Sequence, residues 1–222
     1  MQPKLIIWDW NGTVLDDTEA TWQIANTMLT ERGIKSLADL DAYRAVFGFP
    51  IRDYYQKIGY TFEKESYEAV ADEFVILYAE AFKSCPLMPG AVETLHSLKK
   101  MGCRQVLLSA TKRSQLLDQV ARFPELSNLF TDILGIQDHY AFSKAHLAAE
   151  FISSCGLRPE ETLFIGDTDH DCEVSSAVGA PCLLIAKGHQ SRSRLEKTSA
   201  LTVLNDVREV PQWIADAPAG GR

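Results

Sequence analysis

Asp9 ends an apolar run, Leu5-Ile6-Ile7-Trp8, and Asn11, Gly12 and Thr13 follow it closely. A carboxylate delivered by a buried strand to the edge of a tight turn is a candidate nucleophile or metal ligand. Asp167, Asp169 and Asp171 follow a second apolar run, Leu163-Phe164-Ile165-Gly166. Ser109 follows Val106-Leu107-Leu108, and Lys144 opens a helical pattern beyond a third run. Carboxylates gathered this densely repel one another unless a cation or protons neutralise them. The D-x-D-x-D spacing does not make an EF-hand, because Cys172 stands at its glycine position and Val178 at its glutamate position. An isolated cluster of this kind is equally well explained by a solvated loop with capping aspartates. With Asp9 ending another strand, Mg²⁺ held by a few carboxylates, waters and substrate oxygens is the better reading.

These residues need elements to position them. Six short apolar runs read as strands: Leu5–Trp10, Gln105–Ala110, Asp132–Ile136, Thr162–Gly166, Cys182–Ala186 and Leu201–Leu204. Most are continuous stretches, as expected of strands covered on both faces. Helical patterns at "AVETLHSLKKMG", "SKAHLAAEFISSCGL" and "HDCEVSSAVGAP" alternate with them and stop at Gly102, Gly156 and Gly179. That alternation specifies an α/β doubly wound parallel sheet. Between the first strand and Cys85 no good strand occurs, and helices are expected over Thr18–Arg32, Leu37–Val46, Ile51–Lys57 and Glu65–Phe82. The expected division is therefore a core of residues 1–15 and 86–222 with a helical cap at 16–85. In an open parallel sheet the ligand lies beyond the carboxyl ends of the strands, where Asp9, Ser109 and the aspartate cluster all fall.

Composition narrows the function. The chain has 222 residues and a formal net charge of −8, which argues against non-specific nucleic-acid binding. No apolar stretch reaches the ~18 residues of a membrane span, and the N-terminus leaves no room for a secretory segment. The five cysteines form no C-x-x-C pair and read as reduced thiols, so a cytoplasmic protein is expected. The sequon at Asn11 is then accidental. The last residues, "DAPAGGR", are expected to fray.

Taken in order, the motifs resemble those of the haloacid dehalogenase superfamily, and nearest its phosphoglycolate-phosphatase-like members. "DWNGT" resembles the first signature with Asp9 as nucleophile, and "VLLSAT" the second with Ser109 as the phosphate-binding hydroxyl. "FSKAHL" resembles the third with Lys144 as the phosphate-binding lysine, and "FIGDTDHD" the fourth with Asp167 and Asp171 as metal acids. The resemblance implies Mg²⁺-dependent hydrolysis of a small phosphomonoester through an aspartyl-phosphate on Asp9. Mg²⁺ would be bound by Asp9, the backbone carbonyl of Asn11, Asp167 and Asp171. Ser109, Lys144 and the loop at Gly12 and Thr13 would hold the phosphoryl oxygens.

Asn11 departs from that pattern, since the superfamily's phosphatases carry a second aspartate there as general acid and base. An amide can do neither. The protein could use another group, such as His170, or act on substrates with good leaving groups. A low-turnover phosphate-binding regulatory module, or a C–P or C–halogen bond hydrolase, are the alternatives. Dehalogenases do not need the Asp167/Asp171 pair. Phosphonoacetaldehyde hydrolases use a cap lysine, for which Lys57 is the one candidate. If lost acid–base help is the limit, Asn11→Asp is expected to raise turnover on alkyl phosphates.

Other residues carry weaker signals. Gly48 and Pro50 suggest a turn that could aim Arg52 at a substrate carboxylate, against the commoner surface arginine. "KGHQS" could edge the site or form a plain turn, and His170 reads first as a solvated helix-start histidine. Trp22, Met28 and Leu29 read as packing, and Trp8 and Trp10 as braces of the nucleophile loop. Neither the substrate's identity nor the oligomeric state is written in the sequence.

Overall fold

The computed structural model describes residues 2–136 and 143–217. Its sheet has six strands, β1 (Leu5–Trp8), β2 (Arg104–Lys112), β3 (Asp132–Ile136), β4 (Thr162–Gly166), β5 (Cys182–Ile185) and β6 (Thr202–Leu204). All neighbours pair in parallel, in the order β3-β2-β1-β4-β5-β6. Successive residues of a strand point to opposite faces, and the core divides accordingly. Ile6 and Trp8 join one buried cluster with Leu95 and Ile214, while Leu5 and Ile7 join another with Ala148 and Val174. The helices α5 (Ala91–Lys100), α6 (Arg113–Ala121) and α10 (Val210–Asp216) cover the first face. The second is covered by α7 (Lys144–Ser154), α8 (Asp169–Val178) and α9 (Arg192–Leu195). Burial of each such aliphatic side chain contributes roughly 1.5–3 kcal/mol. The α/β class expected from the alternating pattern is the one observed.

Between β1 and β2 lie four helices, α1 (Thr18–Glu31), α2 (Leu40–Val46), α3 (Ile51–Lys57) and α4 (Tyr67–Ala81). They pack on a core of their own, with Met28, Leu29, Tyr43 and Val70 fully buried. Trp22 lies against that core and donates its indole N–H to the Leu37 carbonyl at 3.2 Å, so it and its neighbours do pack.

Boundaries differ from expectation where a cap or turn intervenes. The first strand stops at Trp8, because the Trp10 carbonyl accepts the amides of Val14 and Leu15 at 3.0 and 2.9 Å and closes a turn. The second helix of the insert starts at Leu40, where Asp39 accepts the Ala42 amide at 2.7 Å; the fourth starts at Tyr67, capped by Ser66. The helix α6 was not expected at all: it has one buried apolar residue, Leu116, and no side-chain cap, so its sequence carries little periodic signal. Among the described residues no helix is long and apolar enough to cross a membrane, and the five cysteines are unpaired. The expected fraying concerns a tail that, beyond Ala217, lies outside the described residues.

Candidate active site

Asp9 follows β1, and its amide donates to the Ile165 carbonyl of β4 at 2.9 Å. This places it at the crevice between the two central strand ends, where an open sheet of this order binds ligands. Lys144 is the first residue of α7, whose start is set by Ser143 accepting the His146 amide. Its ammonium donates to Asp9 Oδ1 and to Asp171 Oδ1, both at 2.6 Å. Asp171 stands in the first turn of α8, where its Oδ2 accepts the hydroxyl and amide of Thr168 at 2.7 and 3.1 Å in a capping box. Asp167 directly follows β4; its two oxygens accept the Thr13 hydroxyl at 3.0 Å and the His189 amide at 2.6 Å. Ser109 is buried in the carboxyl half of β2 and its hydroxyl bonds with that of Thr111 at 3.1 Å.

Two glycines let these groups approach. At Gly12, φ is +72° and a Cβ would fall 2.4 Å from Asp167 Oδ2. At Gly166 a Cβ would fall 2.3 Å from the Asp171 carboxyl carbon. Any side chain at either position would push an aspartate away.

The charges are unbalanced. Burial pushes the Asp9 carboxyl up to about 8; Lys144 opposes this, while Asp171 and Asp167 add to it. Asp167 is also raised by burial, to about 6. Burial works against the Lys144 ammonium, but Asp171 and Asp9 outweigh it and hold its pKa above the usual lysine range. One ammonium thus serves a buried acidic cluster whose carboxylates resist joint ionisation. Asp9, Asp167 and Asp171 each offer an oxygen within 4.8 Å of the others, a potential metal-binding site. Three hard oxygen donors short of positive charge are the set that a small divalent cation fits.

Asn11 lines the cavity within a polar cluster of its own. Its side-chain amide donates to Asp17 Oδ2 at 2.8 Å and to the Tyr78 hydroxyl at 2.7 Å, and Tyr78 donates to the same Asp17 oxygen at 2.6 Å. Asp17 Oδ1 accepts the Gly12 amide at 2.8 Å and faces His189 Nε2 at 3.2 Å. Burial opposes the Asp17 charge, yet His189 and the donors Tyr78 and Asn11 hold its carboxyl below the ordinary range. Burial likewise disfavours the His189 cation, but Asp17 outweighs it and lifts the imidazole to about 9. The other ring nitrogen of His189 meets the Tyr43 hydroxyl of α2 at 2.8 Å. Arg44 of the same helix donates to the carbonyls of Gly188 and Lys187, both at 2.9 Å. A buried polar chain therefore joins the loop after β1, the loop after β5 and the helical insert.

Sequence reasoning did not single out Asp17, Tyr43 or Tyr78. Of the two readings of "KGHQS", the edge of the site is what the fold delivers, since His189 is buried against Asp167 and Asp17. A histidine soon after a strand end was the available signal; Asp17 had only its place beside the loop. His170 is half-buried at the cavity, its ring centroid 4.7 Å from that of Phe49 and its Nδ1 3.2 Å from Glu173. Asp169 turns away from the cluster to Arg194, at 2.7 Å. Trp8 and Trp10 brace the loop through indole bonds to Gln105 and Gln119, at 3.1 and 2.8 Å.

A cavity of about 400 Å³ opens from Asp9, Ser109 and Lys144 toward the insert. Arg52 is a correction: it is not among the lining residues, because its guanidinium lies over the rings of Phe62 and Tyr67, 5.6 and 5.8 Å from their centroids. Gly12 and Thr13 are not among them either; the amide of the one is held by Asp17 and the hydroxyl of the other by Asp167. Lys57 is exposed at the end of α3 and does not line the cavity.

A phosphoglycolate phosphatase of Pseudomonas syringae pv. tomato is 28% identical, with 98% of this chain and 82% of the relative covered. A phosphoglycolate phosphatase of Rhodobacter capsulatus is 25% identical, covering 86% of this chain and 87% of the relative. A haloacid dehalogenase-like hydrolase of Streptococcus pneumoniae superposes with a TM-score of 0.79 at 21% identity, over 95% of this chain and 98% of that one, a likeness of fold. Residues 6–185 match the family model described as haloacid dehalogenase-like hydrolase. That match runs from the strand leading to Asp9 through β5 and takes in every carboxylate of the cluster, and so the chain belongs to the haloacid dehalogenase-like hydrolases.

Proposed function

We propose that the protein is a Mg²⁺-dependent phosphatase that hydrolyses a small phosphomonoester through an aspartyl-phosphate on Asp9. One observation carries this: Lys144 bridges Asp9 and Asp171 at 2.6 Å each, within a buried carboxylate cluster at the end of a cavity. Asp9 attacks phosphorus in line and forms the acyl phosphate, and water then hydrolyses it, two steps easier than one. Lys144 favours the ionised form of Asp9 against its burial and holds a phosphoryl oxygen, and the Ser109 hydroxyl holds another. Mg²⁺, held by Asp9, Asp167, Asp171 and the Asn11 carbonyl, would supply positive charge against the phosphoryl oxygens. Residues 16–85 act as the cap that excludes water. Asn11 braces Asp17 and leaves the leaving group without an acid at that position.

The comparisons favour phosphate as the transferred group, since the relatives are phosphoglycolate phosphatases. An exposed Lys57 does not favour Schiff-base chemistry, and the intact Asp167/Asp171 pair does not favour dehalogenation. The test is phosphate release from a panel of phosphorylated metabolites with Mg²⁺ and with chelator. Release abolished by chelator supports the function; chelator-insensitive halide release refutes it. Mg²⁺-dependent binding without turnover identifies a regulatory module instead.

A further inference from the structure

The insert turns a mostly apolar wall, rich in aromatic rings, toward Asp9. Phe47, Tyr54, Tyr55, Tyr67, Phe74 and Tyr78 line that side of the cavity. Among the described lining residues Lys144 is the one lysine, and there is no arginine. Lys144 is already shared by Asp9 and Asp171, and His189 is engaged by Asp17 and Tyr43. His170 sits beside Glu173. The cap arginines are committed elsewhere: Arg32 to Glu65 and Glu73, Arg44 to loop carbonyls, Arg52 to two rings. A carboxylate on the leaving group would therefore lose its water against rings with no lysine or arginine free to pair with it, which is strongly unfavourable. A flat apolar ring would instead stack among these side chains.

Two buried polar atoms add detail. Thr21 Oγ1 and Tyr54 Oη have no hydrogen-bond partner, and both residues line the cavity and are more than nine-tenths buried, at 6% and 5% exposure. Both oxygens are themselves fully buried, so they offer no exposed donor to a carboxylate in the cavity. The chemistry at Asn11 points the same way. A phenol leaves as its stable phenolate, so it needs no proton from the enzyme in the first step.

Resting on the phosphatase function above, we infer that the substrate is an aryl phosphate, the phosphomonoester of an uncharged phenol, rather than a carboxylate-bearing phosphate. The Asp9 carboxylate forms a bond to phosphorus as the bond from phosphorus to the aryl oxygen breaks. The electron pair leaves on that oxygen, which takes a proton from solvent. Water then attacks the aspartyl-phosphate, returning the Asp9 carboxylate and releasing inorganic phosphate.

The experiment compares kcat/KM of the intact protein with Mg²⁺ on phenyl phosphate, 4-carboxyphenyl phosphate, phosphoglycolate and acetyl phosphate. Phenyl phosphate should exceed both carboxylate-bearing substrates by about tenfold or more. Ala71→Arg, which puts a cation into the cavity wall, should narrow or reverse the ratio of the two aryl substrates. Equal rates on phenyl and 4-carboxyphenyl phosphate, or a preference for phosphoglycolate, overturn the inference; turnover of acetyl phosphate in the same assay leaves the phosphatase function standing. If no substrate releases phosphate, that function fails, and calorimetry with phenylphosphonate and 4-carboxyphenylphosphonate decides the specificity. Phenylphosphonate binding about tenfold more tightly supports an aromatic, uncharged site, and equal binding overturns it.

Discussion

Replacing Asn11 by aspartate tests the placement of the amide most directly. The Asn11 amide donates to Asp17 Oδ2 at 2.8 Å, and Asp17 is 1% exposed. An ionised aspartate there forfeits a hydrogen bond to a charged group, worth roughly 1.5–3 kcal/mol. It also sets a second carboxyl within contact of the first; two full charges at ~3 Å repel by roughly 5 kcal/mol at an effective dielectric of ~20. The introduced carboxyl avoids most of that by holding a proton and donating it to Asp17, so its folded pKa is raised above the ordinary ~3.9. A raised carboxyl destabilises the fold only where the unfolded chain would ionise. The loss is absent below about pH 4, grows as pH rises from there to the folded pKa, and is constant above it. Asn11→Asp should therefore cost about 2–5 kcal/mol near pH 8 and markedly less near pH 4.5. Urea denaturation at the two pH values measures this. The exchanged pair, Asn11→Asp with Asp17→Asn, restores one carboxylate and one amide and should recover about 1.5–3 kcal/mol. Activity on alkyl phosphates should rise by less than the ~10²–10⁴-fold of full acid–base help, because this position is turned toward Asp17 and Tyr78. Equal stability of wild type and single variant at both pH values would refute the bracing role of Asn11.

Asp9→Asn should lower phosphate release by roughly 10³-fold or more while circular dichroism stays unchanged, and beryllium fluoride with Mg²⁺ should raise the Tm of the wild type alone; near-normal turnover in the variant would remove the nucleophile. Asp167→Ala should weaken Mg²⁺ dependence far more than Asp169→Ala, since Asp169 is paired with Arg194 at 2.7 Å, and Mg²⁺ titrations of activity that coincide for the two variants would contradict the proposed ligand set. The His189–Asp17 pair gives a second pH signature. Because His189 is lifted to about 9 in the fold, its stabilisation is complete below its unfolded value near 6.5 and is lost as pH rises through 9. Denaturation of wild type and His189→Gln between those pH values should converge as pH increases, and parallel curves would mean that the imidazole is not charged in the fold.

The division between sequence and structure follows the range of the interactions. Runs covered on both faces, such as Thr162–Gly166 and Cys182–Ile185, are legible because burial leaves a continuous apolar signature over adjacent residues. Asp9, Ser109, Lys144, Asp167 and Asp171 were legible because each stands in or just beyond the carboxyl half of a strand or at a helix start, and parallel strands bring those ends to one edge of the sheet. Helix α6, with a single buried apolar residue, left no such mark. The polar chain from Asn11 through Asp17 and His189 to Tyr43 was not legible, because Asp17 and His189 are 172 residues apart and meet only when the loop after β5 folds against the nucleophile turn. Arg52 shows the converse, since its local turn suggested a substrate contact and the rings of Phe62 and Tyr67 claimed it. The aromatic wall likewise comes from separate helices of the insert, whose residues each look like ordinary packing until the docking of Tyr43 and Arg44 on the core turns their common face toward Asp9.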